Sequence, residues 1–142
     1  MKIVVLALAL LVALGLVSYG ESASRARCEF GRVQGFVSIR SDPGYLVGTI
    51  PSRFSDDARF FERRYNCTRR SASVRRVDLG LYEVHFPDLA DRVAVVSAIS
   101  EEGIAASVVP YSGGVYRIAL RGPLENNGVL LRRDVAFSIA IF

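Results

Sequence analysis

Seven arginines, Arg59, Arg63, Arg64, Arg69, Arg70, Arg75 and Arg76, fall within 18 residues that hold a single acid, Glu62. Guanidinium groups are planar and permanently charged, and their paired N–H donors match carboxylate, sulfate and phosphate oxygens. Such a concentration is the chemistry of anion binding. The window carries +6, while the rest of the chain from residue 25 onward carries −2. Three Arg-Arg pairs recur every six residues, an even number of β steps. If one strand ran through the window, Arg63, Arg69 and Arg75 would share one face and Arg64, Arg70 and Arg76 the other. The run Ser71-Ala72-Ser73 interrupts that pattern. Tyr65 adds a ring that could stack on a sugar or a base. The candidate polyanion-binding set is therefore Arg63, Arg64, Arg69, Arg70, Arg75 and Arg76 with Tyr65. The competing reading is a solvated strand pair whose acidic partners come from elsewhere in the chain.

Other chemistry is thinly represented. His85 is the single imidazole and lies mid-strand in YEVHF, where a solvent-facing or interface histidine is the ordinary outcome. A nucleophilic triad would need it as base. Asp56-Asp57 and Glu101-Glu102 are adjacent carboxylates in turn-like segments, and paired acid-base work requires a fixed separation across a cleft. Oxygen-rich loops are what calcium uses, but EF-hand spacing is missing. Phosphate-cradling glycine loops, H-E-x-x-H and G-x-S-x-G are missing as well. The sequence thus predicts no catalytic residues, no metal and no cofactor. Asn66-Cys67-Thr68 fits a glycosylation sequon by chance.

The chain has 142 residues, 51% of them hydrophobic and 23% charged, with a net charge of +4. That excludes a disordered tail and a large enzyme. Met1 and Lys2 precede 15 unbroken apolar residues, 3–17, the length and flank of a secretory signal. A membrane-spanning helix needs about 20 apolar residues, and polar residues arrive from Ser18 onward. Residues 1–24 read as a signal peptide, with Ser22 and Ser24 suiting the cleavage pocket and an earlier site at Ser18 and Gly20. Residues 25–142 then form one secreted domain without a transmembrane segment. Its 17 basic residues are all arginine, a pattern that codon usage in a GC-rich genome explains. Export to an oxidising compartment makes Cys28 and Cys67, the only cysteines, one disulfide.

The elements that must position these residues read as β throughout. Short strand-like runs are broken by turn residues, and no helical period persists. Residues 35–40 run into Ser41-Asp42-Pro43-Gly44, a turn, with 45–50 as the return strand. Residues 59–67 read as a strand. Residues 74–77 and 81–86 flank Asp78-Leu79-Gly80 as a hairpin, with Tyr82, Val84 and Phe86 on the core face and Leu81, Glu83 and His85 opposite. Residues 92–99, 104–109, 115–120 and 135–142 complete about eight strands. The last alternates Val135, Phe137, Ile139 and Ile141 and should be central, with Phe142 tucked into the fold or a subunit contact. The fold class is all-β, an antiparallel sandwich or jelly roll with one disulfide.

The stretch Gly80-Leu81-Tyr82-Glu83-Val84-His85-Phe86 resembles a G-x-Y-x-V-x-F pattern of small secreted β-rich domains from high-GC Gram-positive bacteria. The opening pair GFVSIRSDPGYLVGTI, the basic hairpin from Val74 to Tyr82 and the closing Asp134, Phe137 and Phe142 fit the same resemblance. It spans most of residues 33–142 and implies a binding or structural role, with no catalytic residues to transfer. A weaker likeness is to the trimeric jelly-roll heads related to complement C1q and tumour necrosis factor, from which the cysteine pair and short length depart. The resulting expectation is a secreted, non-enzymatic module, monomeric or homotrimeric, whose partner is an extracellular polyanion or cell-surface glycan. The alternative is a secreted enzyme or an inhibitor presenting residues 110–114 as a rigid loop.

Overall fold

The computed structural model describes residues 28, 31–40, 47–100, 103–122 and 131–142. Nine strands occur among them: β1 Gly35–Ile39, β2 Phe61–Asn66, β3 Ser73–Asp78, β4 Leu81–His85, β5 Ala94–Ile99, β6 Ala105–Ser112, β7 Val115–Gly122, β8 Leu131–Arg132 and β9 Ala136–Ile141. They form two antiparallel sheets. The first has the order β2-β1-β9-β5, and the second β3-β4-β7-β6 with β8 added beside β7. The described helical segments are two 3-10 turns, Val47–Thr49 and Ala58–Phe60. None of the described helices is long and apolar enough to cross a membrane. The all-β sandwich expected from the alternating pattern is present, with its one disulfide between Cys28 and Cys67.

Alternation decides what enters the core. Tyr82, Val84 and Phe86 of the second sheet are fully buried, as are Tyr116, Ile118 and Leu120 of β7, which face the same way. Val37, Phe137, Ile139 and Ile141 meet them from the first sheet. Tyr82 lies against Phe137 with ring centroids 5.3 Å apart, and Phe86 meets Tyr116 edge-on at 6.0 Å. Burying each such side chain contributes roughly 1.5–3 kcal/mol. The Tyr116 hydroxyl donates to the buried Leu89 carbonyl at 2.6 Å, so its polar end is satisfied. Gly35 opens β1 because the Phe86 ring lies against its backbone. A Cβ there would meet Phe86 Cδ1 at 2.7 Å. β9 is central, between β1 and β5, as its apolar alternation required.

Several expectations need correction. Residues 47–50 are not a return strand. Val47–Thr49 is a 3-10 turn whose Val47 and Ile50, three residues apart and therefore on one side, both enter the core. Tyr45, Leu46 and the turn at 41–44 lie outside the described residues, as do the signal peptide at 1–24 and Glu101-Glu102. The partners of β1 are instead β2 and β9. β2 starts at Phe61 rather than 59, because Asp57 caps the preceding turn by accepting from the Arg59 amide at 2.9 Å. β8 is two residues long, too short to carry an alternating pattern. Residues 110–112 extend β6 instead of forming a loop, and Gly113 and Gly114, at φ +56° and +80°, close a two-residue hairpin onto β7. Phe142 keeps 37% of its surface exposed, while its amide donates to the Val93 carbonyl.

Candidate basic site at the sheet edge

The arginine window does not lie on one continuous strand. β2 stops at Asn66, a tight turn follows, and β3 enters the other sheet, so the six-residue repeat is cut in two. Arg63, Arg64 and Tyr65 sit on the outermost strand of the first sheet, Arg69 and Arg70 in the turn, and Arg75 and Arg76 on the outermost strand of the second.

The turn is held from four sides. Cys67 is bonded to Cys28, and its amide donates to the Gln34 carbonyl at 2.8 Å. The Asn66 side chain, 8% exposed, accepts from the Thr68 amide and hydroxyl and donates to the Pro87 carbonyl. This leaves the sequon asparagine with its side chain occupied. The Arg69 amide closes the turn onto the Asn66 carbonyl at 3.0 Å, with Arg69 itself at φ +64°. Asp88, directly across, is also left-handed at φ +66°. Non-glycine residues rarely adopt this region, and it costs about 1 kcal/mol or more unless surroundings impose it.

Between the end of β2 and this turn lies a concave pocket of about 230 Å³ lined by Arg64, Tyr65, Asn66, Arg69, Arg70, Ser71 and Ala72. The Arg64 guanidinium donates to the Asp56 carbonyl at 2.5 Å and lies over the Phe61 ring. Arg70 reaches Asp88 at 3.3 Å, with both side chains more than half exposed. Pairs of that kind are worth under about 1 kcal/mol and exchange readily. Among the described residues Arg63 and Arg69 make no ion pair. Tyr65 is 49% exposed.

The other two arginines of the set are committed elsewhere. Arg75 and Arg117 flank Glu83 on neighbouring strands and bind it at 2.5 and 2.6 Å, and Glu83 has no exposed surface. Phe54 and Tyr111 stack on the two guanidiniums, at 4.6 and 4.2 Å. Burial pushes the Glu83 carboxyl up, but the hydrogen bonds from Arg117 and Arg75 outweigh it and hold its pKa below the ordinary value. Arg76 binds Asp134 at 2.6 Å, and that carboxylate also accepts from the Tyr82 hydroxyl and the Gly80 amide. Burial again opposes, and Arg76, Tyr82 and Gly80 together keep Asp134 low. Burial, then the hydrogen bond to Asp134, raise the Tyr82 hydroxyl far above its usual value. Sequence spacing did not reveal these acids because Asp88 and Asp134 lie far along the chain and Glu83 reads as solvent-facing.

The remaining candidates are placed as follows. His85 is partly buried with its ring 5.7 Å from Phe54. Asp57 caps a turn and pairs with Arg59 at 2.6 Å. No group of three or more metal-ligating side chains occurs among the described residues. Comparison with known proteins returned no matching family model, no matching curated protein and no matching solved structure.

Proposed function

We propose that this protein is a secreted, non-enzymatic binding module whose partner is an extracellular polyanion, held at the sheet edge by Arg64, Arg69 and Arg70. The observation that carries this reading is the basic pocket between β2 and its turn, lined by Arg64, Arg69 and Arg70, for which the one acidic partner among the described residues is the exposed Asp88. Arg63, on the adjacent exposed surface of β2, extends the positive field. Arg75 and Arg76 contribute charge at longer range, since their guanidiniums are bound to Glu83 and Asp134. Secretion is supported by the apolar N-terminal run at residues 3–17 and by the Cys28–Cys67 bond.

Inorganic polyphosphate is a suitable first probe, titrated into the oxidised protein between 50 and 300 mM salt. Three engaged arginines predict a log–log slope of about −2, at roughly 0.7 per phosphate contact for a single-stranded polymer. Joint substitution Arg69→Asn and Arg70→Ser, asparagine being chosen because it tolerates the left-handed backbone, should lower affinity at least tenfold and flatten the slope. Arg132→Ser, on the distant β8, should leave both unchanged. Binding insensitive to salt, or lost equally in the Arg132 variant, contradicts the reading.

A further inference from the structure

We infer that the pocket recognises a single anionic sugar residue of a glycan, with the acid group on Arg69 and Arg70 and the sugar ring against Tyr65. The inference rests on the polyanion reading above and narrows it to one ligand class. Size comes first. A volume of about 230 Å³ lies below the usual range for pockets that enclose drug-sized ligands. It holds one hexose-sized unit and is open to solvent, so that neighbouring units of a glycan extend outside it.

The chemistry of the lining comes second. Unspecific single-stranded nucleic-acid binders use an extended basic track with successive aromatic platforms. Here one half-exposed ring, Tyr65, lines the pocket together with Arg64, Arg69 and Arg70, and the Asn66 side chain is consumed by the turn. One ring face with an adjacent bidentate donor set matches a pyranose bearing a carboxylate, sulfate or phosphate.

Preorganisation comes third. The Arg69 backbone is held left-handed by the closed turn, the disulfide and Asn66, so that on binding only its side chain is ordered. Arg70 exchanges one weak, solvated acid, Asp88, for the ligand's acid. With Asp88 as the one described acid against Arg64, Arg69 and Arg70, the empty pocket keeps a net positive charge, which makes ligand anionicity a condition for occupancy.

The test compares hexagalacturonate, a heparin hexasaccharide, maltohexaose, inorganic polyphosphate and oligothymidylate on the full oxidised protein at one salt concentration. Both acidic hexasaccharides should bind at least tenfold more tightly than polyphosphate, and neutral maltohexaose should not bind measurably. Tyr65→Leu, which keeps apolar bulk at an exposed strand position, should cost roughly tenfold for the acidic sugars and less than twofold for polyphosphate, whereas Tyr65→Phe should retain both. The Arg69→Asn, Arg70→Ser variant should weaken all anions together. Equal affinity for sugars and polyphosphate, or tightest binding of oligothymidylate, overturns the sugar assignment while leaving polyanion binding in place. Absence of salt-dependent binding to any anion overturns both.

Discussion

Glu83 has no exposed surface, yet it sits on the face of β4 opposite the core, covered by the arginines that bind it. A carboxylate there is tolerable only while both guanidiniums remain, because an unpaired buried charge costs several kcal/mol. Glu83→Gln removes the charge and leaves two cations side by side. It should destabilise the fold by about 2–3 kcal/mol in urea unfolding, below the full range for a broken buried pair because both arginines are partly exposed. A change under about 0.5 kcal/mol would show the cluster to be a bystander. The pH dependence has a definite sign. Glu83 and Asp134 titrate lower folded than unfolded, so their contribution is complete above the ordinary carboxylate range and is lost as pH falls below about 4. Thermal melts between pH 6 and 2.5 should show this loss, with a shallower decline in Glu83→Gln. Alternation placed Glu83 on the outer face correctly. It could not show that Arg117, 34 residues further on, would close over it.

At the scale of elements, the β3–β4 hairpin was the clearest local reading, and its glycine behaves as expected. Gly80 is at φ +59°, and a Cβ there would meet the Arg133 amide at 2.6 Å and the Leu120 carbonyl at 2.7 Å. Both atoms are backbone and cannot swing aside. Gly80→Ala should cost about 2 kcal/mol or more, from strain together with displacement of the amide that Asp134 accepts. Near-normal stability would mean that the turn can rearrange. The core face of β4 and the central position of β9 were legible because alternation over five or more residues carries its own register. Residues 47–50 differ from the expected strand because a 3-10 turn with apolar residues three apart resembles a broken strand. The arginine window differs for another reason. The six-residue repeat would share faces only on one continuous strand, and the interruption visible at Ser71-Ala72-Ser73 begins earlier, at the tight turn that the Asn66 side chain and the Cys67 bond impose. That turn splits the candidate set, leaving Arg64, Tyr65, Arg69 and Arg70 together and Arg75 and Arg76 on Glu83 and Asp134.

For the whole molecule, the disulfide joins the segment before β1 to the turn after β2, so it ties the basic pocket to the sandwich. Closing a 39-residue separation restricts the unfolded chain by about 4 kcal/mol in the entropy model. Replacing Cys28 and Cys67 by serine should lower stability by a comparable amount and weaken polyphosphate binding at temperatures where the fold persists. Unaltered affinity in a folded variant would show that the turn is rigid without the bond. Removing residues 137–142 deletes most of β9 and should abolish cooperative unfolding, since β1 and β5 pair only through it. The paired cysteines and the β class were legible from residue types alone. Which arginines stay available was not, because that depends on acids up to 58 residues away. The most direct test of the central claim is an amide chemical-shift map of the oxidised protein titrated with hexagalacturonate. Binding at the pocket predicts saturable shifts concentrated at residues 64–72 and around Asp88, with Glu83 and Arg117 unmoved. Shifts centred on the outer face of β4, β6 and β7, or none at saturating ligand, would contradict the account.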